Sequence, residues 1–292
     1  MKVGIAGITG KFARLLATHL LAHEGASIKG YCRTPSKVPE AIRSSPRVEL
    51  TQGEAFDREA VRSFVQGCDV VVCCYLGDDK LMVEGQKLLI DACDELQVTR
   101  YLFLKDPMIH VKAYLETKAN VAGVHILIGG FMEPVLSPFF NILDPSTMTF
   151  RYWGEGDEVM EGTTYDDAAR FTAAVALDPN ATGVLRFVSG RASIRDIARS
   201  FEKVYGIKPS LERRGSLDEL YEHMHNLRSE DPQNVYGYMA LFFYYYWING
   251  QTFVGPQLDN GRYSDIKPVD WEGYMSKWPI DQLPTSYFAL GM

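Results

Sequence analysis

The sequence predicts an α/β fold built on a doubly wound parallel sheet, and three observations carry that expectation. Strand-like apolar runs alternate with helix-like stretches through the first half of the 292 residues. The fourth such run, "DVVVCCYLG", is apolar throughout, as a strand covered on both faces should be. A glycine-bearing turn, "GITG", separates the first run from the first helix. The length admits one large domain or a domain with a smaller companion. The expected division is 1–140 for the sheet and 141–292 for a smaller, mostly helical region interleaved with one end of the sheet.

The elements follow in order. "KVGIAG" is the first strand, and "KFARLLATHLLAHEG" is a helix with Phe12, Leu15, Leu16, His19 and Leu20 on one face. "SIKGYCR" and "PRVELTQG" are the second and third strands, and "REAVRSFVQG" is a helix stopped at Gly67. After the fourth strand come the helix "GQKLLIDACDELQV", the strand "RYLFL", a helix around 108–121 and the strand "VHILIGGFM". Repeated βα units of this kind imply right-handed crossovers in a parallel sheet. Beyond residue 140, "MTFRYWGEGDEVMEGTTYDDAARFTAAVAL" predicts strand, loop and long helix, with Asp166 and Asp167 capping or orienting that helix. "SIRDIARSFEKVYGIKPSLERRGSLDELYEHMHNL" predicts two helices separated by a short strand. The tyrosine-rich "VYGYMALFFYYYWING", broken by Gly237, suits a buried or pocket-lining helix better than a membrane span.

A net charge of −7 offers no field to draw nucleic acid or an anionic membrane, so neither is an expected partner. The first apolar run enters the glycine turn directly, which does not read as a signal peptide. Cys32, Cys68, Cys73, Cys74 and Cys93 sit within or beside apolar runs and read as reduced thiols in a cytoplasmic protein. No Cys/His spacing suggests a metal.

Gly7-x-x-Gly10-x-x-Ala13 closes a strand and opens a helix, the context in which such spacing has meaning. A pyrophosphate at the positive end of a helix needs exposed backbone N–H groups and no Cβ in its way, which defines a Rossmann-type site. Gly7, Thr9, Gly10, Lys11 and Phe12 are the candidates to hold it. At the end of the second strand an NAD site favours a carboxylate. Here "CRTPSK" supplies Arg33 and Lys37 instead, two cations suited to a 2′-phosphate, so the expected cofactor is NADP(H).

With those residues in view, the chain resembles the NmrA-like, isoflavone-reductase-like branch of the atypical short-chain dehydrogenases over nearly its whole length. The likeness rests on "GITGKFA", "GCDVVVCCYLG", "HVKAYLE", "ILIGGFMEP", and "TTYDDAARFTAAVALDP" followed by "IRDIARSFEKVYGIKP". The tail "LDNGRYSDIKPVDWEGYM" is similar to that of fungal members. The resemblance implies a nicotinamide lying along Tyr75, Leu76 and Gly77. It implies an adenine approached by "GEAF", with Glu54 where relatives more often carry Asp. It also makes Lys112 the residue that polarises or protonates the substrate, and Phe131, Met132 and Glu133 one wall of the substrate pocket.

Lys112 can be argued from its place as well, since a helix after the fifth strand starts beside the crevice where such folds bind ligands. An ammonium there can fix the nicotinamide ribose and stabilise charge on a substrate oxygen. His110 reaches the same pocket if the helix begins near Val111. Tyr114 and Lys118, four apart on one helical face, form an alternative pair. One face of the aromatic run, Tyr244 included, can line a pocket for a flat, apolar substrate. These readings combine into an NADPH-dependent reductase of a bulky apolar small molecule in fungal secondary metabolism, with a homodimer admitted. Two rivals use the same scaffold: a redox-sensing regulator that binds the cofactor without catalysis, and a non-redox or redox-coupled cyclase or isomerase.

Overall fold

The computed structural model describes residues 1–103 and 108–286. The chain opens with β1 (Lys2–Ala6), α1 (Lys11–Leu21), β2 (Ser27–Cys32), α2 (Glu40–Arg43), β3 (Val48–Gln52) and α3 (Arg58–Val65). Next are β4 (Val70–Cys73), α4 (Gln86–Glu95), β5 (Arg100–Phe103), α5 (Met108–Leu115) and β6 (Ala122–Leu127). It continues through β7 (Gly130–Phe131), α6 (Met132–Val135), β8 (Leu143–Asp144), β9 (Thr149–Trp153), β10 (Met160–Thr163), α7 (Tyr165–Leu177) and β11 (Gly183–Arg186). Last come β12 (Gly190–Ala192), α8 (Ile194–Tyr205), β13 (Ser210–Gly215), α9 (Leu217–Glu230), α10 (Val235–Ile248) and α11 (Trp271–Met275). The chain divides into two compact units, the first holding Met1–Leu127 and Ala168–Arg186, the second Ile128–Asp167 and the chain from Phe187 onward.

The first unit is the expected doubly wound domain. Its seven strands run in the order β11-β6-β5-β4-β1-β2-β3, every pair parallel. The order reverses at β1, where β2 lies to one side and β4 to the other, and this switch point is where such sheets open a crevice. Helices α3, α4 and α5 cover one face over a core that includes Phe64, Val71, Leu89, Tyr101 and Val111. All four residues of β4 are buried, as its unbroken apolar run requires.

Three details differ from expectation. Helix α1 buries Ala13, Leu16, Ala17 and Leu20, while Phe12, Leu15 and His19 are only half-buried. Two alanines on the inner face let the helix lie close to the strands, and that need outweighs the size of the flanking apolar groups. The helix around 108–121 ends at Leu115. The seventh strand, β11, comes from beyond residue 140 and pairs with β6.

Two buried cations complete the unit by capping helix ends. Lys29 donates to the carbonyls of Ser63 (2.8 Å) and Gln66 (3.0 Å) at the end of α3. Arg100 donates to those of Val175, Ala176 and Asp178 at the end of α7. Positive charge at a helix C-terminus meets both the orphan carbonyls and the helix dipole. Among the described residues no disulfide joins the cysteines, and burial pushes the Cys68 and Cys73 thiols up to about 11.

The second unit holds two small sheets, β12-β10-β7 and β13-β9-β8. Helices α8 and α9 each begin with a reciprocal capping box, Ser193 with Asp196 and Ser216 with Glu219, and Gly206 at φ +68° ends α8. The core includes Met132, Phe150, Phe201, Leu220, Trp271 and Tyr274. Helix α10 buries Tyr244, Trp247 and Ile248 and leaves Tyr236 and Phe243 exposed. Among the described residues no helix is long and apolar enough to cross a membrane.

Candidate nucleotide site

The chain leaves β1 through Gly7 at φ +82°, a conformation that disfavours any side chain, and a Cβ there would stand 2.9 Å from the carbonyl oxygen of Cys74. The Gly7 N–H donates to the Tyr31 carbonyl (2.9 Å), and the Gly10 N–H returns to the Gly7 carbonyl (3.0 Å). Arg14 Nε pins the turn through the Thr9 carbonyl (3.0 Å). Gly10 is different. It is extended (φ −69°, ψ 153°), and a Cβ would meet only the Gly7 carbonyl, at 3.5 Å. The fold alone does not demand glycine at position 10. What a methyl group would occupy is the exposed space above the turn, where a phosphate approaches. Helix α1 starts there with no side-chain cap and no acidic residue in its first turn, leaving its positive end to an outside anion. The turn and the helix end therefore fit a dinucleotide.

Past β2, Arg33 and Lys37 are exposed, and neither forms an ion pair among the described residues. Tyr31 donates to the Glu54 carbonyl (2.7 Å), tying the end of β2 to "GEAF". Glu54 is exposed beside a half-exposed Phe56, whose ring lies 5.2 Å from Lys80 Nζ. Tyr75 turns inward: a Cβ at Gly7 would touch its ring, its hydroxyl is buried without a partner among the described residues, and burial raises its pKa. Leu76 is 76% exposed and Gly77 is exposed. The unit thus brings Gly7, Thr9, Gly10, Lys11 and Phe12 together at one turn, with Arg33 and Lys37 at the neighbouring strand end.

Lys112 is not brought together with that turn. It lies half-exposed on α5, its Nζ 3.4 Å from Glu116 Oε1. It helps line a cavity of about 230 Å³ with residues that open β6 and β11, Ala122, Gly123 and Gly183 among them. His110 is exposed. Tyr114 and Lys118 do stand together on the flank of α5 that meets α4. Lys118 Nζ donates to Asp91 (2.6 Å) and to the Tyr114 hydroxyl (3.0 Å), which itself donates to Asp91 (2.6 Å). Burial alone would lower the Lys118 pKa, but its bonds to Asp91 and Tyr114 outweigh it and raise the value. A lysine held charged by a carboxylate just past the end of α5 is a tie between two helices. "LKDP", the four residues before α5, lies outside the described residues.

In the second unit, Phe131 stacks on Tyr165 with centroids 3.7 Å apart. Met132 is fully buried and Tyr244 nearly so, both within the core, so neither presents a side chain to a ligand in this arrangement. Glu133 is 3% exposed, and its Oε1 accepts the Tyr165 N–H (2.8 Å) while Oε2 has no partner among the described residues. Burial lifts its pKa to about 7, the Tyr165 N–H opposing and the charges of Asp167 and Asp166 adding to the rise. A buried carboxyl of this kind was not singled out by sequence for its titration, because nothing in "FMEP" tells how deeply the glutamate sits. Among the described residues no cluster of His, Cys, Asp or Glu could hold a metal.

Fold and site together define a Rossmann-type α/β protein with an NAD(P)H-binding domain. Residues 7–122 match a protein family described as NAD(P)H-binding. No curated protein matches the sequence. Several solved structures share its fold. AtPrR2 with NADP+ and (+)pinoresinol is 18% identical, with 95% of this chain and 98% of that one covered at a TM-score of 0.75. The NADPH-dependent quinone oxidoreductase QOR2 of Escherichia coli is 17% identical over 94% and 99%, also at 0.75. The triphenylmethane reductase of Citrobacter sp. is 15% identical over 98% and 99%, at 0.70.

Proposed function

We propose that this protein is an NADPH-dependent reductase of a bulky, largely apolar small molecule. One observation carries the cofactor preference: two exposed cations without carboxylate partners, Arg33 and Lys37, at the strand end beside the glycine turn. The turn and the first N–H groups of α1 would hold the pyrophosphate, and Arg33 and Lys37 the 2′-phosphate. Glu54 and Phe56 would border the adenine, and Tyr75, Leu76 and Gly77 the nicotinamide. When bound, the nicotinamide supplies a hydride for a C=C, C=O or C=N bond. The named neighbours support this reading, since AtPrR2 and the Citrobacter reductase are described with NADP and QOR2 with NADPH. Phe131, which is half-buried, is the proposed substrate contact, and fungal secondary metabolism and the reducing cytoplasm are the proposed setting.

Lys112 is the proposed proton-side residue. Its pair with Glu116 has to open for that role, and a half-exposed i,i+4 pair costs only about 0.5 kcal/mol to break. The placement of Lys112 away from the glycine turn favours a second reading, in which the protein binds NADP(H) and regulates a partner without turnover.

Calorimetric titration of NADPH, NADP+, NADH and NAD+ tests the first claim. Replacing Arg33 and Lys37 together with alanine is expected to weaken NADPH at least about 100-fold and leave NADH within about threefold. Equal affinity for all four nucleotides would remove the phosphate site. NADPH oxidation with apolar enones and quinones then separates the readings. Under the reductase reading, Lys112→Ala lowers kcat at least about 100-fold while NADPH affinity falls by less than about tenfold, the loss of its ribose contact. Tight NADPH binding with no turnover on any substrate would favour the regulator.

A further inference from the structure

The cavity of about 230 Å³ beside α5 belongs to the first unit, and its walls include Lys112, Leu115, Glu116, Ala122, His125 and Val184. Its rim holds Ala122 and Gly183, the first residues of β6 and β11. Every strand of this sheet is parallel, so those residues lie at the edge away from the glycine turn, which follows the end of β1. Strands β5 and β4 also stand between β6 and β1. The cavity is therefore separate from the crevice at the switch point.

The cavity is open and already shaped. Ala122 and Gly183 are exposed, and His125 and Val184 are half-buried. A Cβ on Gly183 would meet no other group within 4 Å, so space lies beside the start of β11. Val184 pairs with His125 across the two strands, which sets their side chains next to each other on one face. The His125 ring is braced edge-on against Phe103, with centroids 3.7 Å apart. Leu115 packs on β6 so closely that a Cβ at Gly123 would stand 2.6 Å from its side chain. Lys118 contributes only its stem, because Asp91 and the Tyr114 hydroxyl hold its Nζ. Walls fixed in this way lose little freedom when a ligand enters.

Lys112 supplies the polar contact. Its side chain is 48% exposed, and the Glu116 carboxylate lies 3.4 Å from its Nζ. That is longer than the about 2.7–2.9 Å of a charge-assisted hydrogen bond, and an ammonium has three donors to give. Glu116 is itself 65% exposed and can turn to water at little cost. A cation with donors to spare beside an apolar wall suits a molecule with one negative charge and an apolar body. A cavity of about 150 Å³ holds benzene, so this one has room for a ring and a short acid arm.

We propose that this cavity binds a small aromatic monocarboxylate, its carboxylate accepting from Lys112 Nζ and its ring lying against Val184 and His125. The site does not depend on the reductase reading; under that reading a bound acid withholds Lys112 from its proton-side role.

Calorimetric titration with 3-phenylpropanoate, in the absence of any nicotinamide nucleotide, tests this. Measurable binding is expected, with 3-phenylpropan-1-ol, which lacks the charge, at least about tenfold weaker. Lys112→Met keeps the apolar stem and removes the ammonium, so it is expected to weaken the acid at least about tenfold. Ala122→Trp, at the exposed rim, is expected to abolish binding by filling the cavity. Unchanged circular dichroism and Tm in both variants exclude unfolding as the cause. Absence of 3-phenylpropanoate binding overturns the proposal. So does equal affinity for the alcohol, or binding that either folded variant leaves undisturbed.

Discussion

An alanine at position 7 and one at position 10 should fail in different ways. Gly7→Ala forces a side chain into a left-handed conformation and against the Cys74 carbonyl, so it is expected to cost about 2 kcal/mol of stability, read as a lower urea midpoint. Gly10→Ala has an ordinary backbone and open space, so stability should move by less than about 0.5 kcal/mol. Its NADPH affinity should nevertheless fall at least about tenfold, because the methyl takes the place of the approaching phosphate. Glu133 gives a third residue-level prediction. Its carboxyl binds a proton more tightly folded (about 7) than its ordinary value of 4.5. Between those values the native state holds more protons than the unfolded one, so stability falls as pH rises through that window. The full shift corresponds to about 3 kcal/mol, and Glu133→Gln should flatten the urea midpoint between pH 5 and pH 8 to that order.

Elements whose signals are local were legible in the sequence. The capping boxes at Ser193 and Ser216 stand at the starts of α8 and α9, the two helices expected in that stretch. Ser193→Ala should cost about 1 kcal/mol, measured by thermal or urea unfolding, with Ser193→Thr recovering most of it. The glycine turn and the buried run of β4 were readable for the same reason, since each is decided by its own residues. Strand β11 was not. Its four residues, "GVLR", carry no period long enough to distinguish a strand, and what holds them is pairing with β6, some sixty residues earlier. The two-residue strand β8 was hidden likewise, and β7 was read as the end of the sixth strand, from which the chain breaks away after Leu127. Helix α10 is apolar all round, so no pattern told which side would be buried; Tyr244 went inside and Phe243 out. Lys112 shows the limit at the site. Its spacing from β5 could be read, but which flank of α5 it occupies depends on how the helix sits against α4, with Tyr114 and Lys118 taking that side.

At the scale of the molecule, the division into units does not follow a cut in the sequence. A fragment ending at residue 140 lacks β11, so β6 becomes an open edge. It also lacks the helix end that Arg100 caps, leaving a buried guanidinium without its three carbonyls. Such a fragment is expected to aggregate or to show no cooperative unfolding by circular dichroism, whereas one extended through residue 186 regains both features.

The crossing of the chain between its units also has a temporal side. Protein synthesis delivers residues from the N-terminus, and domains ordinarily fold as they emerge. Here the nucleotide-binding half waits for Gly183–Arg186, so the whole of Ile128–Asp167, whose own unit is incomplete until much later, is outside the ribosome first. Neither half can be finished and set aside before work on the other has begun. Birth of the cofactor site is tied to the arrival of its seventh strand, long after the glycines that define it have been made.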